Sequence, residues 1–305
     1  MAKCLALDMM PNYSIIIPHK DIPDLLQRCL DSIPMRDDVE VIVVDDNSDP
    51  QKVNFANFPQ WKGKQYEYHL TKEGKGAGYA RNVGLNHAQG RWVVFADADD
   101  FFTKDFNDLL DEMVDSEEDL IFFDYINVLS GDITRQLEDR KWYSKFMASY
   151  RNGKMDETAF SSMVPVVWCR MVRREFIERN GIRFSETRWS NDLFFAAQVG
   201  SKVKTVKVSD RIGYAVTSRE GSLTKDFCGT AEELRVRLKE GLKSENMYAQ
   251  HQLPCKGRMT SACLAVAYKK KGFLWCFGFA LINIYDWPVA KMMLAFLAKK
   301  MLRKR

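Results

Sequence analysis

Two groups of aspartates carry the clearest chemical signal in the chain. Asp45-Asp46 and Asp97-Ala98-Asp99 each follow a short apolar run, as does the cluster Pro18-His19-Lys20. Like charges held close together repel, so gathering them makes chemical sense around a hard divalent cation, whose matched donors are carboxylate oxygens. Aspartates two apart after a strand can serve one nucleotide, one reaching the ribose and the other the metal on a diphosphate. Taken singly, Asp45-Asp46-Asn47-Ser48 also reads as a polar turn and Asp97 to Asp100 as a helix cap; their recurrence after separate strands favours a shared site. His19, His69, His87 and His251 stand far apart without metal-ligand spacing, which argues against zinc. The glycine-rich Gly74-Lys75-Gly76-Ala77-Gly78 is closed by no Gly-Lys-Ser/Thr, so it reads as a flexible loop and not as a phosphate cradle.

The elements that must position these residues alternate between strand and helix, the pattern of an α/β domain. Tyr13 to Ile17 reads as a strand stopped by Pro18. Ile22, Leu25, Leu26, Cys29, Leu30 and Ile33 have helical spacing, with Asp21 as the expected N-cap. Val39 to Val44 is an apolar run suited to a strand buried on both faces. Tyr66 to Leu70 is a further strand, Tyr79 to Gln89 a helix ended by Gly90, and Arg91 to Ala96 the next buried strand. Phe106 to Val114 reads as helix and Leu120 to Asp124 as strand. Arg174 to Asn180 is helical with Gly181 as its stop, and Asn191 to Val199 is helical again. Val203 to Val208 and Ile212 to Thr217 are two strand-like runs, after which the pattern turns helical. In an open parallel sheet the three polar clusters gather along the carboxyl edge, where such folds bind ligands.

Four stretches in this order carry a resemblance: Ser14-Ile15-Ile16-Ile17-Pro18, Val43-Val44-Asp45-Asp46-Asn47-Ser48, Ala80-Arg81-Asn82-Val83-Gly84-Leu85 and Phe95-Ala96-Asp97-Ala98-Asp99-Asp100. Together with Trp168 to Arg174, Gly181-Ile182-Arg183-Phe184, Asn191-Asp192 and Arg219-Glu220-Gly221-Ser222, they resemble the family 2 glycosyltransferases of bacterial surface-polysaccharide type. The resemblance runs from about Tyr13 to Thr224. It implies an α/β GT-A fold, a mostly parallel sheet flanked by helices, as a catalytic domain over 10–225, and the helical pattern beyond it makes 226–305 a C-terminal helical region. It further implies that Pro18 and Asp46 hold a nucleotide base with Asp45 beside them, and that Arg81 approaches the base or phosphates. Asp97 would contact the ribose and share with Asp99 an Mn2+ or Mg2+ on the diphosphate, and Arg219 would close as a lid. Asp192 would be the general base of an inverting transfer from a nucleotide-sugar donor, in particular a UDP-sugar, to a glycan or lipid-linked acceptor. Asn191 stands where the family commonly has glutamate, and His19-Lys20 also departs from its pattern. Trp168 fits either core packing or an acceptor-side wall.

Two other functions share part of this pattern. A sugar-phosphate nucleotidyltransferase also uses an α/β sheet and metal-bound aspartates, but calls for a glycine-rich loop after the first strand, where this chain has Pro18-His19-Lys20-Asp21. A degenerate transferase acting as a binding protein is the reading that Asn191 feeds. Nucleic-acid binding is disfavoured by the charge distribution. The net charge is +4, yet six basic residues and no acidic one lie from Trp287 to the end, leaving the remainder at −2. Val289, Met292, Met293, Phe296 and Leu297 fall near one helical face beside those lysines, the pattern of an interfacial helix at a membrane surface. Phe273 to Ile282 is apolar but is cut short of a spanning length by Asn283 and Asp286. The seven cysteines include no C-x-x-C pair, as in a reducing compartment. Asp8 interrupts any secretion signal. The expected place is the cytoplasm, peripheral on the inner face of the cell membrane.

Overall fold

A computed structural model of the chain describes residues 10–138, 141–219, 229–253, 258–283 and 295. In chain order its elements are β1 (Tyr13–His19), α1 (Pro23–Ser32), β2 (Val39–Asp45), β3 (Glu67–Leu70), α2 (Ala77–His87), β4 (Trp92–Phe95), β5 (Phe101–Phe102) and α3 (Asp105–Met113). There follow β6 (Leu120–Leu129), β7 (Asp132–Gln136), α4 (Lys141–Arg151), α5 (Glu157–Met163), β8 (Arg170–Arg173) and α6 (Arg174–Arg179). The last are α7 (Asn191–Lys202), β9 (Val206–Ser218), α8 (Ala231–Gln250) and α9 (Arg258–Ile282).

The chain forms two compact units. The first comprises Met1–Lys141, Val167–Glu186 and Lys204–Arg219, and it contains the whole sheet. The strand order β3-β2-β1-β4-β8-β6-β9-β5, with β7 pairing β6, is parallel from β3 to β4 and mixed beyond. Val41, Ile42, Val43 and Val44 are all buried, so β2 is covered on both faces, as its unbroken apolar run requires. Each such side chain contributes about 1.5–3 kcal/mol on burial. On α1, Leu26, Cys29 and Leu30 face the interior, and Pro23 starts the helix, where a missing N–H costs nothing.

Several expectations change in detail. Pro18 does not stop β1, which continues to His19 in register with β2. Ile16 bonds towards β4 through its carbonyl and His19 towards β2, so Pro18 faces the β4 side, where pairing has ended at Ile16 and Phe95. A residue without an N–H is tolerated at such a position. Asp21 is not the N-cap of α1, a position that falls to Ile22. It instead has φ of 59°, accepts from the Asp49 N–H at 2.8 Å and pairs with Lys52 at 3.1 Å, tying the loop after β2 to the start of α1. Gly90 is not a helix stop, since Ala88 caps α2. A Cβ at Gly90 would sit 2.6 Å from the Ser14 backbone nitrogen, so glycine is required by close approach to β1. The two runs before 218 form one strand, β9, whose pairing with β6 is irregular around Asp124. Gly181, with φ of 59°, does end α6.

The second unit comprises Trp142–Val166, Thr187–Val203 and Glu220–Arg305. It is helical in its described residues. Leu234, Leu238 and Leu242 of α8 pack with Leu264, Ala267, Cys276 and Phe279 of α9. Ala197 of α7 packs with Tyr248 and Leu253. Gly272, with φ of 81°, interrupts α9. No helix among the described residues is long and apolar enough to cross a membrane. The basic run from Lys291 and the apolar face through Val289, Met292, Met293, Phe296 and Leu297 lie outside the described residues.

Candidate active site

Parallel pairing of β2, β1 and β4 aligns their carboxyl ends, and Pro18, Asp45, Asp46, Asp97 and Asp99 all follow from that one edge. Arg81 enters from α2 and Arg219 from the end of β9.

At the β1–β2 side the geometry is a buried brace. His19 Nε2 accepts from the Ile22 N–H at 3.2 Å, which assigns the proton to Nδ1, 2.7 Å from Asp45 Oδ2. Both side chains are fully buried. Asp45 also accepts from the Ser48 N–H at 2.8 Å and the Ser48 hydroxyl at 2.6 Å. Burial alone would raise this carboxyl, but the hydrogen bonds from His19 and Ser48 outweigh it and hold Asp45 below the usual carboxylate range. Asp46 differs. Its Oδ2 accepts from the Gly76 N–H at 2.8 Å and lies 3.6 Å from Lys20 Nζ, whereas its buried Oδ1 has no partner among the described residues. Burial raises this carboxyl above its ordinary value despite the Gly76 and Lys20 contacts. A buried acceptor without a donor is costly, and it marks where a ligand N–H would be stabilised.

At the β4 end each aspartate of the Asp97-Ala98-Asp99 pair faces an arginine. Arg81 donates to Asp97 Oδ1 at 2.5 Å and lies over the Phe184 ring at 5.3 Å. Asn82 exchanges two hydrogen bonds with the Phe184 backbone, at 2.9 and 3.1 Å, which fixes α2 against that segment. Arg219 Nε donates to Asp99 Oδ2 at 3.1 Å. Burial, then repulsion from Asp97, raises the Asp99 carboxyl, and Arg219 only partly opposes this. The two carboxylates supply oxygen donors alone and destabilise each other's charge, so they fit a hard divalent cation. Gly221 and Ser222, the rest of the expected lid, lie outside the described residues.

Several supporting residues have no signature in the sequence. Arg28 of α1 donates to the Asp99 carbonyl at 2.5 Å and to that of Ser130 at 3.0 Å. The Tyr214 hydroxyl accepts from the Asp97 N–H at 2.9 Å. Thr217 donates its hydroxyl to the Asp99 carbonyl at 2.6 Å and its N–H to Asp100 Oδ1 at 2.7 Å. Asp100 is buried, and burial followed by repulsion from Asp97 and Asp99 raises its carboxyl well above the ordinary value. Trp168 is 7% exposed and stacks on Tyr214, so it packs beneath the Asp97 turn. Asp192 belongs to the second unit, in the first turn of α7, where the adjacent Asn191 donates to the Thr187 carbonyl at 3.2 Å. The histidines are not all dispersed either, because His69 and His87 come together with ring centroids 3.8 Å apart.

A twisted α/β sheet with acidic turns at one edge suits nucleotide-diphosphate ligands. The model of glycosyl transferase family 2 matches residues 14–181, and the chain belongs to that family. It is 26% identical over 225 residues to the uncharacterized glycosyltransferase EpsJ of Bacillus subtilis, covering 71% of this chain and 64% of that one. It is 25% identical over 232 residues to the succinoglycan biosynthesis protein ExoO of Rhizobium meliloti, covering 72% and 64%. The chain thus spans just under two thirds of the length of either relative. Among solved structures it resembles residues 1–349 of Staphylococcus aureus TarS in complex with UDP-GlcNAc. The TM-score is 0.62 at 18% identity, over 88% of this chain and 80% of that one, a likeness of fold. The α/β architecture is therefore the GT-A fold expected from the motifs.

Proposed function

We propose that the protein is an inverting glycosyltransferase that moves a sugar from a UDP-sugar to an acceptor hydroxyl during assembly of a surface polysaccharide or glycolipid. The observation that carries this reading is the unsatisfied buried Oδ1 of Asp46 on the same sheet edge as the Asp97-Ala98-Asp99 pair. Asp46 accepts a base N–H beside Pro18, on a loop held rigid by the His19–Asp45 pair. Arg81 and Asp97 take the ribose and phosphate side. Asp97 and Asp99 hold Mn2+ or Mg2+, which when bound neutralises charge on the diphosphate leaving group. Arg81 and Arg219, which face these carboxylates, would supply guanidinium donors to phosphate oxygens of the donor, with Arg219 acting as the lid. The kinship with ExoO supports a role in polysaccharide synthesis, and the fold likeness to TarS with UDP-GlcNAc supports a UDP-sugar donor.

Asp192 serves as the general base, removing the acceptor proton as that oxygen attacks the anomeric carbon opposite the leaving diphosphate. The N-terminal turn of a helix favours an anionic side chain. Asn191, buried and bonded to the Thr187 carbonyl, holds that turn and takes no proton. In the second unit, Leu274, Phe277, Leu281 and Ile282 of α9 expose apolar side chains next to exposed Lys269, Lys270 and Lys271. That combination suits peripheral attachment to an anionic membrane carrying the acceptor. The test is a panel of nucleotide sugars assayed for hydrolysis and transfer with and without Mn2+. One donor is expected to be consumed in a metal-dependent manner, and Asp192→Ala is expected to abolish transfer while donor binding persists. Undiminished turnover by Asp192→Ala removes that residue from the mechanism.

A further inference from the structure

Glu67, His69 and His87 form a second group of ligating side chains, outside the aspartate site. Glu67 and His69 are two apart on β3, the edge strand, and so share one face of the sheet. His87 is the last residue of α2. Glu67 Oε1 lies 2.8 Å from both His69 Nε2 and His87 Nδ1, and the three ligand atoms are all within 4.8 Å of one another. The imidazole rings are tilted by 40°. Solvent reaches the group, with side chains 39%, 23% and 42% exposed in the order Glu67, His69, His87.

We propose that Glu67, His69 and His87 bind a zinc-class transition-metal ion at a site separate from Asp97 and Asp99. Two imidazole nitrogens and one carboxylate oxygen suit zinc and its neighbours, whereas magnesium and manganese favour oxygen donors. Tetrahedral zinc with bonds of about 2.0–2.1 Å sets its ligand atoms about 3.4 Å apart. Each short contact therefore opens by roughly half an ångström, a side-chain adjustment, as each neutral imidazole turns an unprotonated nitrogen to the cation and carries its proton on the other ring nitrogen. Three protein ligands leave a fourth position for water or an exogenous ligand. The ion would clip β3 to the far end of α2 and so close the segment that contains Gly76, whose N–H holds Asp46. The nucleotide edge and the metal clip are thereby linked through one short stretch of chain.

The experiment uses the full chain stripped with chelator, titrated with Zn2+ by calorimetry and with Co2+ as an absorbing probe. Wild type is expected to take up one equivalent of zinc tightly and to develop tetrahedral cobalt bands. His69→Ala and His87→Ala are each expected to weaken uptake about 100-fold or more, and Glu67→Gln less so. His87 sits at an exposed helix end, so its variant stays decisive even if the β3 variants fold poorly. No tight uptake by wild type overturns the proposal. So does wild-type affinity in His87→Ala.

Discussion

Carboxyl groups at this sheet edge are pulled in opposite directions by their surroundings. Asp45 is depressed because His19 and Ser48 satisfy it, whereas Asp46, Asp99 and Asp100 are raised, with burial the leading cause in each. A raised native value means that the folded state binds a proton more readily than the unfolded one. Stability due to Asp100 therefore rises as pH falls through its native value towards the ordinary value of about 3.9. Asp100→Asn removes this titration while its amide oxygen still accepts from the Thr217 N–H. Melting temperatures measured from pH 7 down to about pH 4 are expected to rise for wild type relative to Asp100→Asn. Parallel curves would show that Asp100 does not titrate differently on folding.

Among the elements, the close seat of α2 and the following turn on β1 is what brings Arg81 to Asp97. At Gly90 an added Cβ meets the Ser14 backbone nitrogen and Oγ at 2.6 Å and the Tyr13 carbonyl carbon at 2.7 Å, and the two backbone atoms cannot yield as a side chain could. Gly90→Ala is expected to cost about 1–3 kcal/mol or more, read as a lower denaturant midpoint, and an unchanged midpoint would contradict so tight a fit. This contact was not legible in the sequence, where Gly90 reads as a helix stop, because the requirement comes from another strand. Runs such as Val39 to Val44 were legible, since a strand buried on both faces shows an unbroken apolar run whatever its neighbours. The positions of the acidic turns were legible for a related reason: Asp45-Asp46 and Asp97-Ala98-Asp99 come at the end of apolar strand runs, which mark the carboxyl edge of the sheet. Arg28, Tyr214 and Thr217 left no trace because each acts on a backbone group more than 70 residues away. The His69–His87 pairing was hidden likewise, since only the crossing from β3 through α2 closes an 18-residue gap. Glu67-x-His69 on one strand face was the available hint.

For the whole molecule, the proposed reaction needs a soluble donor and an acceptor held at a surface. Leu274 and Ile282 of α9 are 82% and 79% exposed, so replacing them removes little packing. Leu274→Glu with Ile282→Glu is expected to reduce co-sedimentation with anionic vesicles several-fold at unchanged melting temperature, since a charge opposes insertion of an apolar face. Equal sedimentation would show that this face does not carry the protein to lipid. At the sheet edge, Asp46 is proposed to read a base while Asp97 and Asp99 hold a cation on the attached diphosphate. Calorimetric titration of UDP, with and without Mn2+, into wild type, Asp46→Ala and Asp99→Asn tests it most directly. Mn2+ should tighten UDP binding to wild type at least tenfold, Asp99→Asn should lose that gain, and Asp46→Ala should weaken binding with or without the ion. UDP binding that ignores both Mn2+ and the Asp99 substitution would contradict it.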